Sequence, residues 1–230
     1  MDIEVIYEDN SIIVVNKPQN IPTQADESGD KDMLTMVKEY VKEKYNKPGN
    51  VFIGLVHRLD RPTGGVMVFA RNSKSASRLS EQIRNGDFDK TYFAITKAIP
   101  SPASSRIVTY LKKDTKANMA KIVPMLEEGA KRAELEYKVL ETFDTMALVK
   151  VNLMTGRGHQ IRAQLASIKC PIVGDQKYDQ NAIKANLHLF AVELKFNHPI
   201  SGERMVFRVF PPEDKPLWNK FHLGKFLSLK

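Results

Sequence analysis

An α+β fold is predicted by three features of the sequence. Apolar runs of strand length follow one another with short polar turns between them, only three segments carry helical periodicity, and strand and helix do not alternate as a doubly wound fold requires. Consecutive strands joined by short turns favour antiparallel pairing. No internal repeat, low-complexity tract or Pro/Gly/Ser-rich linker divides the chain, so residues 1–230 are expected to form one domain.

The elements follow in order. Residues 3–15 (IEVIYEDNSIIVV) read as two strands around Asp9-Asn10-Ser11, with Asn16-Lys17-Pro18 ending the second. A polar, mobile loop runs to Asp30. From Asp32 the spacing of Met33, Val37, Tyr40 and Val41 is helical, and Asn46-Lys47-Pro48-Gly49 stops it. The run GGVMVFA at 64–70 suits a buried strand. A second helix follows, capped by Ser73, striped by Ala76, Leu79 and Ile83, and left through Asn85-Gly86. Strands are predicted at 90–96, 106–111, 119–123, 133–142, 147–153, 187–197 and 205–210. A third helix is predicted from Arg157 to Lys169, with Ile161, Leu165 and Ile168 inward and Pro171 as its stop. In the tail, Leu217, Trp218 and Phe221 are expected to dock on the body, and His188 is expected to be buried and hydrogen-bonded.

The 230 residues are 42% hydrophobic and 27% charged, which excludes disorder for most of the chain. No apolar run approaches the roughly 18 to 20 residues of a membrane span, and MDIEVIYEDN lacks the features of a signal peptide, so a cytoplasmic location is expected. The single cysteine, Cys170, excludes an intrachain disulfide and a thiolate zinc site. The formal charge of +8 and a pI of about 9.4 fit a partner rich in phosphate.

Two clusters carry chemistry. His57-Arg58-Leu59-Asp60-Arg61-Pro62-Thr63-Gly64-Gly65 places one carboxylate among arginines and a histidine on a loop just before a buried strand. Its plain alternative is a surface turn in which Asp60 pairs with Arg58 or Arg61. Thr155-Gly156-Arg157-Gly158-His159-Gln160-Ile161-Arg162 is a glycine-rich turn opening a helix, whose N–H groups and basic side chains suit an anion, with Arg162 at the edge of the apolar stripe. Its alternative is a structural salt bridge or a solvated helix start. Tyr92, in KTYFAI, is either a core residue or a platform for a base. No metal-ligand cluster, dinucleotide loop or phosphate loop is present, so no metal or cofactor is expected.

In chain order these pieces resemble the RluA-type family of RNA pseudouridine synthases, from about Val14 to Pro211. Asn16-Lys17-Pro18-Gln19-Asn20-Ile21-Pro22 is similar to the family's NKPxG segment. His57 to Gly65 matches HRLDxxTSG, Lys90-Thr91-Tyr92-Phe93-Ala94 matches KxYxA, and Gly156 to Arg162 with Pro171 to Tyr178 match GRxHQIR and PIxGDxxYG. The resemblance implies a single catalytic domain with a long, bent, mainly antiparallel or mixed sheet around a basic central cleft. It also implies conversion of uridine to pseudouridine in ribosomal or transfer RNA. Asp60 would be the catalytic aspartate, Arg162 the arginine that pairs with it, Tyr92 the residue packed on the target base, and Arg58 the side chain filling the space left by the flipped nucleotide. Arg61, His57, Lys17, Arg157, His159 and Lys90 would contact RNA. The enzyme would act as a monomer with no obligate protein partner and no cofactor.

The sequence departs from the family pattern at Pro62, Gly64, Gly158, Asn20 and Asp179. Asparagine tolerates a left-handed backbone, so Asn20 is expected to keep a turn that the family makes with glycine; the same expectation for Asp179 is weaker. The small N-terminal RNA-binding domain of many family members is not expected, since the first motif begins near residue 14. An RNA-binding module without catalysis is the alternative function. A metal-dependent nuclease using His57, Asp60 and His159 lacks a ligand cluster.

Overall fold

The computed structural model describes residues 3–212 and 216–228. The chain gathers into two compact units, one made of the residues up to Asp89 with Ala191–Val209, the other of Lys90–Phe190 with Phe210–Ser228.

The first unit holds β1 (Glu4–Glu8), β2 (Ile12–Lys17), α1 (Met33–Lys44), β3 (Gly54–Leu55), β4 (Gly64–Ala70) and α2 (Ser73–Asn85), together with most of β10 (Leu189–Asn197) and all of β11 (Arg204–Arg208). β2 pairs antiparallel with β1 and with β4, and β11 pairs antiparallel with β10, which lies beside β4. Ile12 to Val15 and all of β4 are buried, as their unbroken apolar runs require. Asp32 caps α1 by accepting from the Thr35 N–H at 3.0 Å, and Met33, Met36, Val37 and Val41 form its buried side. α2 is capped by Asn72 rather than Ser73. The Asn72 side chain accepts from the Ser75 N–H at 2.8 Å while its own backbone stays extended, so Ser73 is the first helical residue. Gly86 takes the predicted left-handed exit at φ 84°.

Gly65, the second residue of β4, has φ 124°, and a Cβ there would lie 2.2 Å from the Ala191 carbonyl oxygen. Gly65→Ala is therefore expected to cost about 3 kcal/mol, combining left-handed strain with overpacking against a neighbouring backbone. A denaturant midpoint equal to that of the wild type would contradict this close approach.

The second unit holds β5 (Asp89–Thr96, from Lys90 on), β6 (Ser104–Asp114), β7 (Met119–Val123), β8 (Lys131–Phe143), β9 (Met146–Leu153) and α3 (Gln160–Ser167). Its strands run β5-β9-β8-β6-β7, all antiparallel, with a bulge in β8 between Val139 and Glu141. α3 lies over one face of this sheet, where Leu111, Ala120, Ala133 and Ala163 cluster with Tyr178. It is shorter than the periodicity predicts. His159 sits at φ 55°, which no helix interior accepts, so Arg157 and Gly158 stay in the turn, and Ile168 with the left-handed Lys169 ends the helix before Pro171. Gln160, Arg162 and Gln164 are buried beside Ile161 and Leu165, so polar contacts as well as apolar ones seat this helix.

The expected burial of His188 holds, with its Nδ1 3.3 Å from the Val173 carbonyl and its pKa lowered by burial. Trp218 is buried against the His188 ring, and Phe221 meets Phe143 edge-on, so the described part of the tail docks as expected. Residues 213–215, 229 and 230 of that tail lie outside the described residues.

Candidate active site

In the first unit the loop from His57 to Thr63 is held from beneath by the segment after β2. Thr23 Oγ1 donates to the Leu59 carbonyl at 2.8 Å and accepts from the Leu59 N–H at 3.3 Å. The Arg61 carbonyl accepts from the Asn20 N–H at 2.8 Å and from Lys17 Nζ at 3.1 Å, and the Pro62 carbonyl accepts from Gln19 Nε2 at 3.0 Å. Asp60 lies between these two clamped neighbours, and its carbonyl closes a turn with the Thr63 N–H at 2.9 Å. Leu59 is buried and Arg58 is exposed, so the loop is anchored by an apolar side chain and presents a cation to solvent. Asn20 takes φ 67°, as expected for the turn it shares with glycine.

Lys17 corrects the sequence reading. It was expected at an RNA surface, yet it is fully buried, and its Nζ donates to the carbonyls of Pro18, Ile21 and Arg61 at 2.9, 2.6 and 3.1 Å. Burial pushes its pKa down to about 7, opposed by the charge of Asp60. Three carbonyls match the three protons of an ammonium, so Lys17 organises the loop and has no surface left for a phosphate. The Arg61 guanidinium reaches Asp26, Asp30 and Ser28 Oγ, tying down the polar loop that precedes α1. His57 Nε2 accepts from the Val68 N–H at 3.1 Å, and its ring meets Phe88 edge-on at 5.4 Å.

In the second unit the turn before α3 is built on β8. Gln160 Nε2 donates to the Glu134 carbonyl at 3.0 Å, while its Oε1 accepts from the Thr155 hydroxyl at 2.8 Å and the Arg157 N–H at 3.1 Å. Arg157 is exposed, with Nε on the Arg132 carbonyl at 3.1 Å. Lys90 lies under the turn, its Nζ 3.4 Å from where a Gly156 Cβ would stand, and burial lowers its pKa. A Cβ at Gly158 would meet nothing within 4 Å, so this departure from the family pattern is not demanded by space. Tyr92 is buried in β5 opposite Val151, on the face that α3 covers, whereas Phe93 faces the other way opposite Lys150.

Arg162 and Asp175 form a buried bidentate ion pair. Nε and Nη2 of the arginine donate to the two carboxylate oxygens at 2.8 and 2.6 Å, with both side chains almost completely buried. Asp175 Oδ1 also accepts from the Lys177 and Tyr178 N–H groups at 3.0 and 3.2 Å. The Arg162 guanidinium lies 5.2 Å from the Tyr178 ring centre, and the Tyr178 hydroxyl is 3.1 Å from His159 Nδ1. Asp175 belongs to the GDxxY motif, but nothing in the sequence marks it as the partner of Arg162. It fixes the guanidinium plane and leaves that group three further N–H donors. Asp179 does not adopt a left-handed backbone; its carboxylate pairs with Lys97 at 2.7 Å instead. Among the described residues no group of three or more His, Cys, Asp or Glu side chains is placed to hold a metal ion.

The sequence profile of the RNA pseudouridylate synthase family matches residues 11–167. This span includes the Asp60 loop, the Tyr92 strand, the turn before α3 and Arg162 in that helix. The chain belongs to the RNA pseudouridylate synthase family. It is 33% identical over 223 residues to the ribosomal large subunit pseudouridine synthase C of Salmonella typhi, covering 93% of this chain and 67% of that protein. The corresponding Escherichia coli protein is 32% identical with the same coverage. An uncharacterized RNA pseudouridine synthase of Bacillus subtilis is 31% identical over 93% of this chain and 71% of its own.

Solved structures agree on the fold of this pseudouridylate synthase. The human RNA pseudouridylate synthase domain containing 4 superposes with a TM-score of 0.79 at 23% identity, covering 94% of this chain and 92% of that one. The human domain containing 1 gives 0.72 at 20% identity over 92% and 84%. The predicted α+β class is therefore correct, and the enzyme is an isomerase acting on uridine in RNA.

Proposed function

We propose that this chain converts uridine to pseudouridine at specific positions of ribosomal RNA, with Asp60 as the catalytic carboxylate, Arg162 its arginine partner and Tyr92 the side chain that packs on the target base. The supporting observation is the clamp on Asp60: Thr23 holds the residue before it, while Asn20 and Lys17 hold the one after it. A carboxylate that must meet one ribose carbon gains from such a fixed backbone. The choice of ribosomal RNA is supported by the relatives known as ribosomal large subunit pseudouridine synthase C.

The chemistry needs few parts. The N1–C1′ glycosidic bond breaks, a C5–C1′ bond forms, the C5 hydrogen leaves as a proton, and N1 ends protonated. The isomerisation involves no net oxidation and no co-substrate. A carboxylate at the ribose acts either as a nucleophile on C1′ or as a base, the two routes by which carboxylates serve glycoside cleavage. The uridine must first leave its stack; exposed Arg58 takes the vacated space, and Arg157, His159, Lys90, His57 and Arg61 line the path of the RNA or its supporting loops. The protein works as a monomer in the cytoplasm, without an obligate protein partner. No helix of the described residues is long and apolar enough to cross a membrane.

Two experiments test this reading. Position-resolved mapping of pseudouridine on an unmodified large-subunit ribosomal RNA transcript is expected to show conversion at a few discrete uridines. Conversion confined to transfer RNA would reject the substrate class. Arg58→Ala is expected to lose less rate on an RNA whose target uridine is already unstacked than on a paired one; equal losses on both would remove Arg58 from the flipping step.

A further inference from the structure

We propose that the sheet face of the second unit opposite α3 is a second RNA-binding surface, which grips phosphates away from the reacting uridine. The proposal rests on the reading of the chain as an RNA synthase and extends it to a surface outside the motifs.

The strand registers define this face. Tyr110 lies directly opposite Arg132, Arg106 opposite Glu136, and Lys112 opposite Lys121, so these side chains share one side of β6, β7 and β8. Lys138 lies opposite Lys150, which adds β9 to the same side. The other side is the core, where Ala133, Leu135, Tyr137 and Leu111 are buried. Among the described residues the tail packs against one end of this side, where Phe221 meets Phe143 and His222 meets Glu141. Four strands at roughly 4.8 Å spacing give a platform about 15 Å wide.

Its charge is one-sided. Six basic side chains (Arg106, Lys112, Lys121, Arg132, Lys138, Lys150) stand against three acids, Asp114, Glu134 and Glu136. Lys–Lys pairs directly opposite each other on adjacent strands repel, yet this face carries two of them. Asp114 and Glu127 offset the Lys112–Lys121 pair, at 2.7 and 2.8 Å from Lys121 and Lys112 respectively. Among the described residues no ion pair offsets Lys138 and Lys150. A like-charge pair that weakens the sheet is rational where an anion bridges it.

The arginines are pre-ordered for the same task. Glu134 is almost fully buried, and its carboxylate pairs with both Arg106 and Arg132, whose side chains remain 59% and 49% exposed. The two guanidiniums are held from below, and each keeps N–H donors directed away from the carboxylate for a phosphate. Tyr110 and the exposed Val108 lie between them, giving a flat apolar strip for a ribose or base. The patch is continuous with the turn before α3, since Arg157 Nε bonds the Arg132 carbonyl. RNA, rather than an acidic protein, is the occupant that combines regular phosphates with such a strip.

Lys138→Glu provides the test, because it replaces repulsion across the strands with a Lys150 ion pair. Its thermal midpoint is expected to stay level or rise. Its affinity for a large-subunit ribosomal RNA transcript is expected to fall roughly tenfold, and the slope of log affinity against log salt to become shallower by about 1 to 2. Arg106→Gln, which leaves Arg132 on Glu134, is expected to move affinity and slope in the same direction. Turnover at saturation on the shortest RNA that the wild type accepts should be unchanged in both variants. Unchanged affinity and salt slope in both would overturn the proposal. Loss of polyglutamate binding with intact RNA binding would overturn it in favour of an acidic protein. If the wild type turned over no RNA, the synthase reading would fail, while the affinity comparison would still decide the role of this face.

Discussion

Asp60→Asn is expected to lose turnover by on the order of 10⁴-fold or more while its RNA affinity stays within about threefold of the wild type. The amide matches the carboxylate in shape and keeps the backbone clamp from Thr23, Asn20 and Lys17, because those contacts are made to the neighbouring Leu59 and Arg61. What it loses is the negative charge and lone pairs needed at C1′, whichever of the two routes is followed. Single-turnover kinetics with enzyme in excess separate this loss from slow product release, and filter binding supplies the affinity. A variant that isomerises at the wild-type rate would remove Asp60 from the chemistry.

The second large effect is on stability. Asp175→Ala removes a bidentate carboxylate from a guanidinium that is 4% exposed, so a buried charge loses two charge-assisted hydrogen bonds. Breaking a buried pair from one side costs about 3–5 kcal/mol, roughly a 10 °C fall in thermal midpoint for a chain of this size. Two backbone caps, to Lys177 and Tyr178, are lost as well. Replacing both, as in Arg162→Met with Asp175→Leu, is expected to recover part of that stability, since the buried guanidinium is removed together with its bidentate carboxylate. Such a double variant is also expected to be catalytically dead, because Arg162 is assigned to the active site. A midpoint for Asp175→Ala within about 2 °C of the wild type would show that the pair holds less than its geometry implies.

The signals that were legible in the sequence are those carried by local pattern. The unbroken apolar run of β4 announced a buried strand, and Gly86 announced the end of α2. Asn20 was expected to be left-handed because it stands where the family pattern has glycine and asparagine tolerates that backbone, and its φ of 67° agrees. What depends on distant partners was not legible. Asp175 lies 13 residues beyond Arg162 across a loop, and nothing in hydrophobic periodicity says that the two meet. The start of α3 was misplaced because one backbone angle at His159 overrides a helical pattern that the side chains continue. Lys17 was assigned to RNA contact with the family resemblance, and nothing local in the sequence shows that three carbonyls of the same small loop enclose its ammonium. The α2 cap moved by one residue because Asn72 and Ser73 are both good caps and only the backbone chooses between them. The motifs therefore indicated the chemistry, and the structure supplies the supports that hold each motif in place.

The central claim is that this chain isomerises uridine in RNA. Its most direct test is tritium release from RNA labelled at uracil C5, measured beside the pseudouridine formed in the same reaction. The account predicts one tritium released for each pseudouridine, since the new C5–C1′ bond displaces that hydrogen. Binding of the same unmodified RNA with no tritium release would contradict it and leave an RNA-binding protein that has lost its chemistry.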